Sequence, residues 1–269
     1  MSQKTVFIGG GNMAEALLSG MLSAGVVQAA DVVVTDLRED RLAELAAKFS
    51  VQTSVNNVSA VDGASEIWLC VKPQQMAEVL TPLRGLAEQA RWVSIAAGIS
   101  TATLEGYLGG RARVVRVMPN TPALVKCGIA GISGGSSAEA ADLQAVKTAL
   151  ESVGKAVLLP EQDLHAVTAL SGSGPAYVFY LIESMLAAGE QLGLEPGVAR
   201  ELVLQTVLGA GKLMHETGLE ASELRQRVTS KGGTTFAATE TFNEKGVKEG
   251  LIAGTLAAAA RSRALAGEN

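Results

Sequence analysis

The sequence is short of the residues on which metal, disulfide and thiol chemistry is built. Its 269 residues include two cysteines, Cys70 and Cys127, and two histidines, His165 and His215. Two cysteines cannot make a disulfide framework, and with so few histidines no metal-ligand spacing exists. Aromatic residues are 4% of the chain, so the core has to be built from Ala, Val, Leu and Ile. Basic charge is not in excess. Twenty-two Lys and Arg against 27 Asp and Glu give a formal net charge of −5, which argues against nucleic acid as a partner. Long apolar runs are missing too. The longest stretch without Asp, Glu, Lys or Arg, 164–182, carries Ser171-Gly172-Ser173-Gly174-Pro175 in its middle and makes a poor membrane span. The N-terminus reaches an apolar strand by Val6 with none of the three regions of a signal peptide. The expectation is a soluble, cytoplasmic protein.

What is abundant is glycine, at 30 residues, within a chain that is 48% hydrophobic. That apolar fraction supports a globular core, and the length exceeds the roughly 100–200 residues usual for one domain. Up to residue 160, β-branched runs at 6–8, 31–35, 66–71, 92–95 and 114–118 read as strands. Helical patterns fall between them at 12–24, 39–49, 75–83 and 101–108, and a helix at 138–152 and a strand at 155–159 close the region. Such alternation predicts an α/β fold, a Rossmann-type doubly wound parallel sheet over residues 1–160. Beyond Pro160 the pattern is helical, at 162–192 with a Gly-rich interruption and at 196–215, 222–228, 234–243 and 247–265. The segment 177–192 is apolar on nearly every side except Glu183 and Glu190, so it has to be enclosed. A second copy enclosing it makes 161–269 an all-α dimerisation domain and the protein a homodimer. A self-contained bundle core is the alternative.

The first strand runs into Gly9-Gly10-Gly11-Asn12-Met13-Ala14, a GxGxxA pattern at a strand-to-helix turn. Gly9 serves the tight turn, Gly11 lets a pyrophosphate approach the backbone, and Ala14 lets helix and strand pack closely. The free N–H groups of the helix start receive the phosphates. Roughly 20 residues further on, Asp36 ends the second strand, where an acidic residue takes the 2′-hydroxyl of NAD. Arg38 and Arg41 follow, and either suits the 2′-phosphate of NADP. The reading leans to NADPH, with NADH as an alternative donor.

Other polar segments sit where loops meet ligands. Strand 66–71 ends in Val71-Lys72-Pro73, and strand 114–118 leads into Pro119-Asn120-Thr121-Pro122. Strand ends are where open α/β sheets bind ligands, which places Asn120 and Thr121 on the nicotinamide side. In the helical half, 171–176 reads as a helix break, and Ser230-Lys231-Gly232-Gly233-Thr234-Thr235 opens a new helix. Free N–H groups and hydroxyls at such a start suit a small carboxylate. An ordinary loop with a threonine cap is the plain alternative.

Taken together, GGGNMA, VKP, VMPNTP, LSGSGPAY and TSKGGTT, in this order and spacing, resemble the Δ1-pyrroline-5-carboxylate reductase family over essentially the whole chain. The resemblance implies a Rossmann domain, a helical domain that intertwines with its partner's, dimers, and in many members decamers. It implies cofactor contacts at Gly9, Gly11, Asn12, Met13, Asn56, Val71, Lys72, Pro73, Ala97, Gly98, Asn120 and Thr121. It places the substrate, pyrroline-5-carboxylate, against Ser230, Gly232, Gly233, Thr234 and Thr235, and casts Thr235 as hydrogen-bond donor to the ring nitrogen. Lys231 departs from the pattern, since the family usually has proline there. A lysine adds mobility and a positive charge, and leaves the loop's geometry and the choice among cyclic imines open. Two rivals remain. A β-hydroxyacid dehydrogenase would use a helical lysine such as Lys212 but has no use for the GGTT segment. A non-catalytic dinucleotide-binding module would need only the first half.

Overall fold

The computed structural model describes residues 3–267. Eight strands form one sheet: β1 (Thr5–Ile8), β2 (Val32–Thr35), β3 (Gln52–Ser54), β4 (Glu66–Leu69), β5 (Arg91–Ser94), β6 (Arg113–Met118), β7 (Gly128–Gly134) and β8 (Gly154–Leu158). Their order is β3-β2-β1-β4-β5-β6-β7-β8. The chain starts in the middle, winds outward to β3, then returns and winds the other way from β4. That reversal beside β1 is the doubly wound arrangement with its crevice at the β1/β4 junction. Pairing is parallel throughout β3 to β6, antiparallel between β6 and β7, and parallel again between β7 and β8.

Helices α1 (Asn12–Ser23), α2 (Glu39–Phe49), α3 (Asn57–Val61), α4 (Met76–Leu80), α5 (Thr101–Leu108) and α6 (Ala140–Glu151) connect the strands. Both faces of the sheet are covered, and alternation along single strands shows it. Phe7 packs with Leu17, Met21, Trp68 and Val146 on one face, while Val6 and Ile8 pack with Ile67, Leu80 and Trp92 on the other. Phe7 and Trp68 stack at 5.9 Å between ring centroids. The near-continuous apolar strands follow from burial on both sides.

Three details depart from the sequence reading. β3 is short and polar, with Gln52 and Thr53 exposed, so it has no apolar alternation to detect. β7 carries Gly128, Gly131 and Gly134, which weaken a strand pattern. Packing requires the first, since a Cβ on Gly128 would lie 2.9 Å from the Ala123 backbone, and it leaves little room at the second, where a Cβ on Gly131 would lie 3.0 Å from the Leu164 side chain. The Gly-rich segment is not a break into loop. Helix α7 (Leu164–Val167) continues as a π-helical turn, Thr168–Gly172, and then as α8 (Gly174–Gln191), with Ser173 between. Proline is tolerated at position 175 because it sits in the first turn of α8.

Contacts divide the chain into two compact units. The first runs through Ser173 and includes the chain from Ala258 onward; the second is Gly174–Ala257. Within the first, Glu161 accepts from the Thr101 N–H (2.8 Å), the Thr101 hydroxyl (2.6 Å) and Arg116 (2.9 Å). Burial pushes the Glu161 carboxyl up, but those three donors outweigh it and hold its pKa below the ordinary value. His165 is buried, with Nδ1 2.9 Å from the Ser262 hydroxyl.

The second unit holds α8, α9 (Pro196–Thr217), α10 (Ala221–Arg227), α11 (Thr234–Glu244) and the start of α12 (Val247–Leu265). Among the described residues no strand follows Leu158. Gly189 brings α8 close to α9, since a Cβ there would lie 3.0 Å from Ala199. Most other apolar side chains of these helices face outward: Phe179, Tyr180 and Leu181 on α8, Leu202 and Leu208 on α9, Leu251 and Leu256 on α12. Apolar exposure on that scale marks an interface rather than scattered surface residues.

Candidate active site

The parallel strands β1 to β6 end on one edge of the sheet, and that edge gathers the nucleotide-side candidates. Gly9 follows β1, Asp36 follows β2, and Asn56 stands between β3 and α3. Val71, Lys72 and Pro73 follow β4, Ala97 and Gly98 follow β5, and Asn120 and Thr121 follow β6.

The three glycines of the turn have three different reasons to be glycine. Gly9 has φ +99, a region closed to most side chains, and a Cβ there would lie 2.9 Å from the Cys70 carbonyl carbon and oxygen. Gly10 is buried, and its Cβ would lie 2.9 Å from Leu45. Gly11 is the N-cap of α1 with φ −68 and ψ 178, extended backbone that any residue adopts, and a Cβ there meets nothing within 4 Å. The chain's own packing does not call for glycine at 11, so the open ground there is room for a ligand. The first intrahelical bond runs from Glu15 N–H to Gly11 O at 3.0 Å. The N–H groups of Asn12, Met13 and Ala14 before it have no intrahelical acceptor, and no side chain caps them. Exposed N–H groups beside an open glycine fit a pyrophosphate. Ala14 is buried at the helix–strand contact as its small side chain requires.

Charged groups brace this turn from below. Asp36 Oδ2 accepts from Gly10 N–H at 2.8 Å and Oδ1 from Arg38 N–H at 3.0 Å. Arg41 donates from Nε to Gly10 O at 2.7 Å, pairs with Glu44 at 3.0 Å and pairs with Glu15. Lys48 also reaches Glu15, at 2.7 Å. The Arg41 guanidinium, and after it the Lys48 ammonium, hold the Glu15 carboxyl below its ordinary pKa. Arg41 is thus committed to the turn, and of the two arginines offered by the sequence only Arg38 faces solvent, forked onto Asp40.

Among the remaining candidates, Asn56 caps α3, accepting from Ser59 N–H at 3.2 Å. Asn120 is buried and both ends of its side-chain amide are engaged, the oxygen accepting from Ile129 N–H (2.9 Å) and the nitrogen donating to Ser171 O (3.1 Å). Lys72 and Thr121 are exposed. Gly98, at φ +73, lies with its missing Cβ 3.3 Å from Leu265. Burial pushes the Cys70 thiol pKa far up, so it is no nucleophile at neutral pH.

In the second unit, Ser230, Gly232, Gly233, Thr234 and Thr235 form one compact structure. Gly233 N–H bonds Ser230 O at 3.0 Å, and among 231 and 232 only Gly232 has positive φ, +73. Positive φ at the third position alone is a type II turn, with Lys231 at the second. That position favours proline, so the proline that the resemblance expects at 231 would suit this turn. The Lys231 N–H donates no hydrogen bond and its side chain has no partner. Lys231→Pro is therefore expected to stabilise the fold by about 0.4–1 kcal/mol, read as a Tm rise of roughly 1–4 °C; a fall in Tm would contradict the turn assignment.

Helix α11 starts at this turn with Gly233 as N-cap and no side-chain cap. Its first intrahelical bond is Ala237 N–H to Gly233 O at 3.1 Å, leaving the N–H groups of Thr234, Thr235 and Phe236 without intrahelical acceptors. The threonine-cap alternative is thereby set aside. Thr206, Thr217, Thr229, Thr239, Thr241 and Thr255 all turn their hydroxyls back onto the preceding helical turn. Thr235 has no such turn before it, and its half-buried hydroxyl has no partner. Lys212 is exposed and lies 3.7 Å from the Glu216 carboxylate on the same helix. Among the described residues no cluster of His, Cys, Asp or Glu could hold a metal ion, and no helix is long and apolar enough to cross a membrane.

A strand–glycine turn–helix at the switch point of a doubly wound sheet defines a Rossmann-type dinucleotide-binding protein. Comparison with known proteins narrows the class. Residues 4–98 match a family model described as NADP oxidoreductase, coenzyme F420-dependent, and residues 161–265 match one described as pyrroline-5-carboxylate reductase dimerisation. A pyrroline-5-carboxylate reductase of Pseudomonas aeruginosa is 42% identical over 263 residues, covering 97% of this chain and 96% of the relative. The solved structure of such a reductase from Coxiella burnetii superposes with a TM-score of 0.90 at 34% identity, covering 98% of this chain and 99% of that one. A Plasmodium falciparum pyrroline carboxylate reductase, solved with NADP bound, gives 0.89 at 26% identity, covering 98% of both chains. The chain belongs to the pyrroline-5-carboxylate reductase family.

Proposed function

We propose that the protein reduces the C=N bond of Δ1-pyrroline-5-carboxylate to give L-proline, the last step of proline biosynthesis, with NADPH as donor and NADH as a second donor. The observation that carries this reading is the α11 start: three free N–H groups, a type II turn and an unpartnered threonine hydroxyl. A dinucleotide-binding module would have no use for them. In this reading residues 1–160 are the nucleotide domain and 161–269 the substrate and dimerisation domain.

A nicotinamide cofactor, when bound, would supply the hydride that C5 of the ring accepts. The chain's own residues then have three tasks. The N–H groups of Asn12, Met13 and Ala14 and the open ground at Gly11 hold the pyrophosphate, with Val71, Lys72, Pro73, Ala97, Gly98 and Thr121 along the same edge. Asn120, its side chain engaged, contributes backbone. The turn at Ser230, Gly232 and Gly233 and the N–H groups of Thr234 and Thr235 anchor the carboxylate of the substrate. The Thr235 hydroxyl hydrogen-bonds the ring nitrogen, donating to the neutral imine and accepting through its oxygen from the protonated iminium, the form that accepts hydride more readily. Orientation within about 3–3.5 Å of the donor is what the protein adds to the cofactor's chemistry.

The outward apolar faces of α8, α9 and α12, together with the matched dimerisation segment, support a homodimer as the working unit. A decamer built from dimers, acting in the cytoplasm, completes the proposal. The test is NADPH and NADH oxidation at 340 nm with pyrroline-5-carboxylate, run beside sedimentation of the same preparation. Turnover by a dimer or a multiple of it is expected. Cofactor binding without turnover sinks the reductase reading, and a stable monomer sinks the dimer.

A further inference from the structure

The end of β2 presents one carboxylate and one cation to whatever occupies the adenosine 2′ position, and the cation is already engaged. Asp36 is fixed by the N–H groups of Gly10 and Arg38, at 2.8 and 3.0 Å. Each of its oxygens keeps a lone pair for a further donor, as a ribose hydroxyl would be. A 2′-phosphate meets repulsion from the same group unless a cation offsets it. Arg41 is not available for this, being spent on Gly10 O, Glu44 and Glu15. Lys48 is likewise held by Glu15. Arg38 remains, and it forks onto Asp40, Nε to Oδ1 at 3.3 Å and the terminal nitrogen to Oδ2 at 3.1 Å.

We infer that Asp40 is a specificity-determining positioning residue: by holding Arg38 it makes recognition of the 2′-phosphate conditional on opening the Arg38–Asp40 pair, so that NADH and NADPH are accepted with comparable affinity. The inference rests on the nucleotide site proposed above. Arg38 and Asp40 are both largely exposed, at 64% and 71% of their side chains. An exposed pair of this kind is weak, so holding Arg38 back weakens NADPH by a few-fold and does not exclude it. NADH, which asks nothing of Arg38, escapes that penalty.

The experiment is titration of the intact protein with NADPH and with NADH, read by quenching of tryptophan fluorescence, for the native chain, Asp40→Asn, Arg38→Ala and the double variant. Asp40→Asn is expected to raise the ratio of the NADH to the NADPH dissociation constant about two- to fivefold. Asp40 also stands in the first turn of α2, and loosening that turn would weaken both nucleotides alike, which the ratio cancels. Arg38→Ala is expected to lower the ratio roughly tenfold. On the Arg38→Ala background, Asp40→Asn is expected to leave the ratio where it was. An unchanged ratio in the single variant overturns the inference. So does an equal gain with and without Arg38, because the acid would then act by bulk charge alone. Failure of the native chain to bind either dinucleotide would instead overturn the nucleotide site on which the inference rests.

Discussion

Gly11→Ala is expected to weaken dinucleotide binding by roughly 100-fold while leaving the fold close to its native stability. The asymmetry comes from where the added methyl would go. The backbone at Gly11 is already in a conformation that alanine adopts, and the new carbon meets no atom of the chain within 4 Å. Loss of the better N-cap residue costs about 0.5–1 kcal/mol, and reduced freedom of the unfolded chain offsets part of that. The methyl would instead stand in the open space beside the turn, where the proposed binding mode brings phosphate oxygens to the N–H groups of Asn12 to Ala14. Two lost charge-assisted hydrogen bonds are worth roughly 3 kcal/mol, or about 100-fold. Gly9→Ala is the contrasting variant. Its methyl would press on the backbone of Cys70 at 2.9 Å from a residue at φ +99, so stability and binding should fall together. Fluorescence titration with NADPH beside thermal unfolding separates the two. A Gly11→Ala protein that binds NADPH as the native chain does would show that the phosphates lie elsewhere.

How much of this was legible beforehand depends on what kind of signal each part leaves. β1, β2 and β4 to β6 are buried on both faces, and burial on both faces leaves continuous apolar runs that the sequence displays openly. The glycine turn was equally visible, because its spacing and its place between a strand and a helix are local. β7 was not, since its glycines answer to Ala123 and Leu164, which are distant in sequence or belong to other elements. The π-helical turn at Thr168–Gly172 was hidden for a related reason: glycine and serine signal a break, yet here the helical path continues through them. The site shows the same division. That Asp36, Arg38 and Arg41 cluster at the end of β2 could be read off their spacing. Which arginine faces solvent could not, because the answer lies with Glu15 and Gly10, which pair with Arg41 across the first βαβ unit. The free hydroxyl of Thr235 was likewise invisible, being a matter of which helical turn precedes it.

That hydroxyl carries the second large expected effect. Thr235→Val keeps the shape and the β-branch of the side chain and removes only an oxygen that bonds nothing in the chain. Stability and NADPH binding should therefore hold, and KM for the imine should change little, because in the proposed mode the carboxylate is held by backbone N–H groups that the variant retains. The loss should fall on kcat. A neutral hydrogen bond that only orients the ring nitrogen contributes about 0.5–1.5 kcal/mol, at most roughly tenfold in rate. A hydroxyl that also relays a proton to the nitrogen as hydride arrives belongs to a different range, roughly 10²–10⁴-fold. Threonine is too weak an acid to supply that proton unaided, so the expected loss lies between the two, roughly 10- to 100-fold, with Thr235→Ser recovering most of it. The size of the deficit then measures the role: near tenfold the hydroxyl orients, and toward 100-fold it passes a proton taken from solvent. Native kcat in Thr235→Val would remove the hydroxyl from the reaction and leave the α11 start as a carboxylate anchor alone.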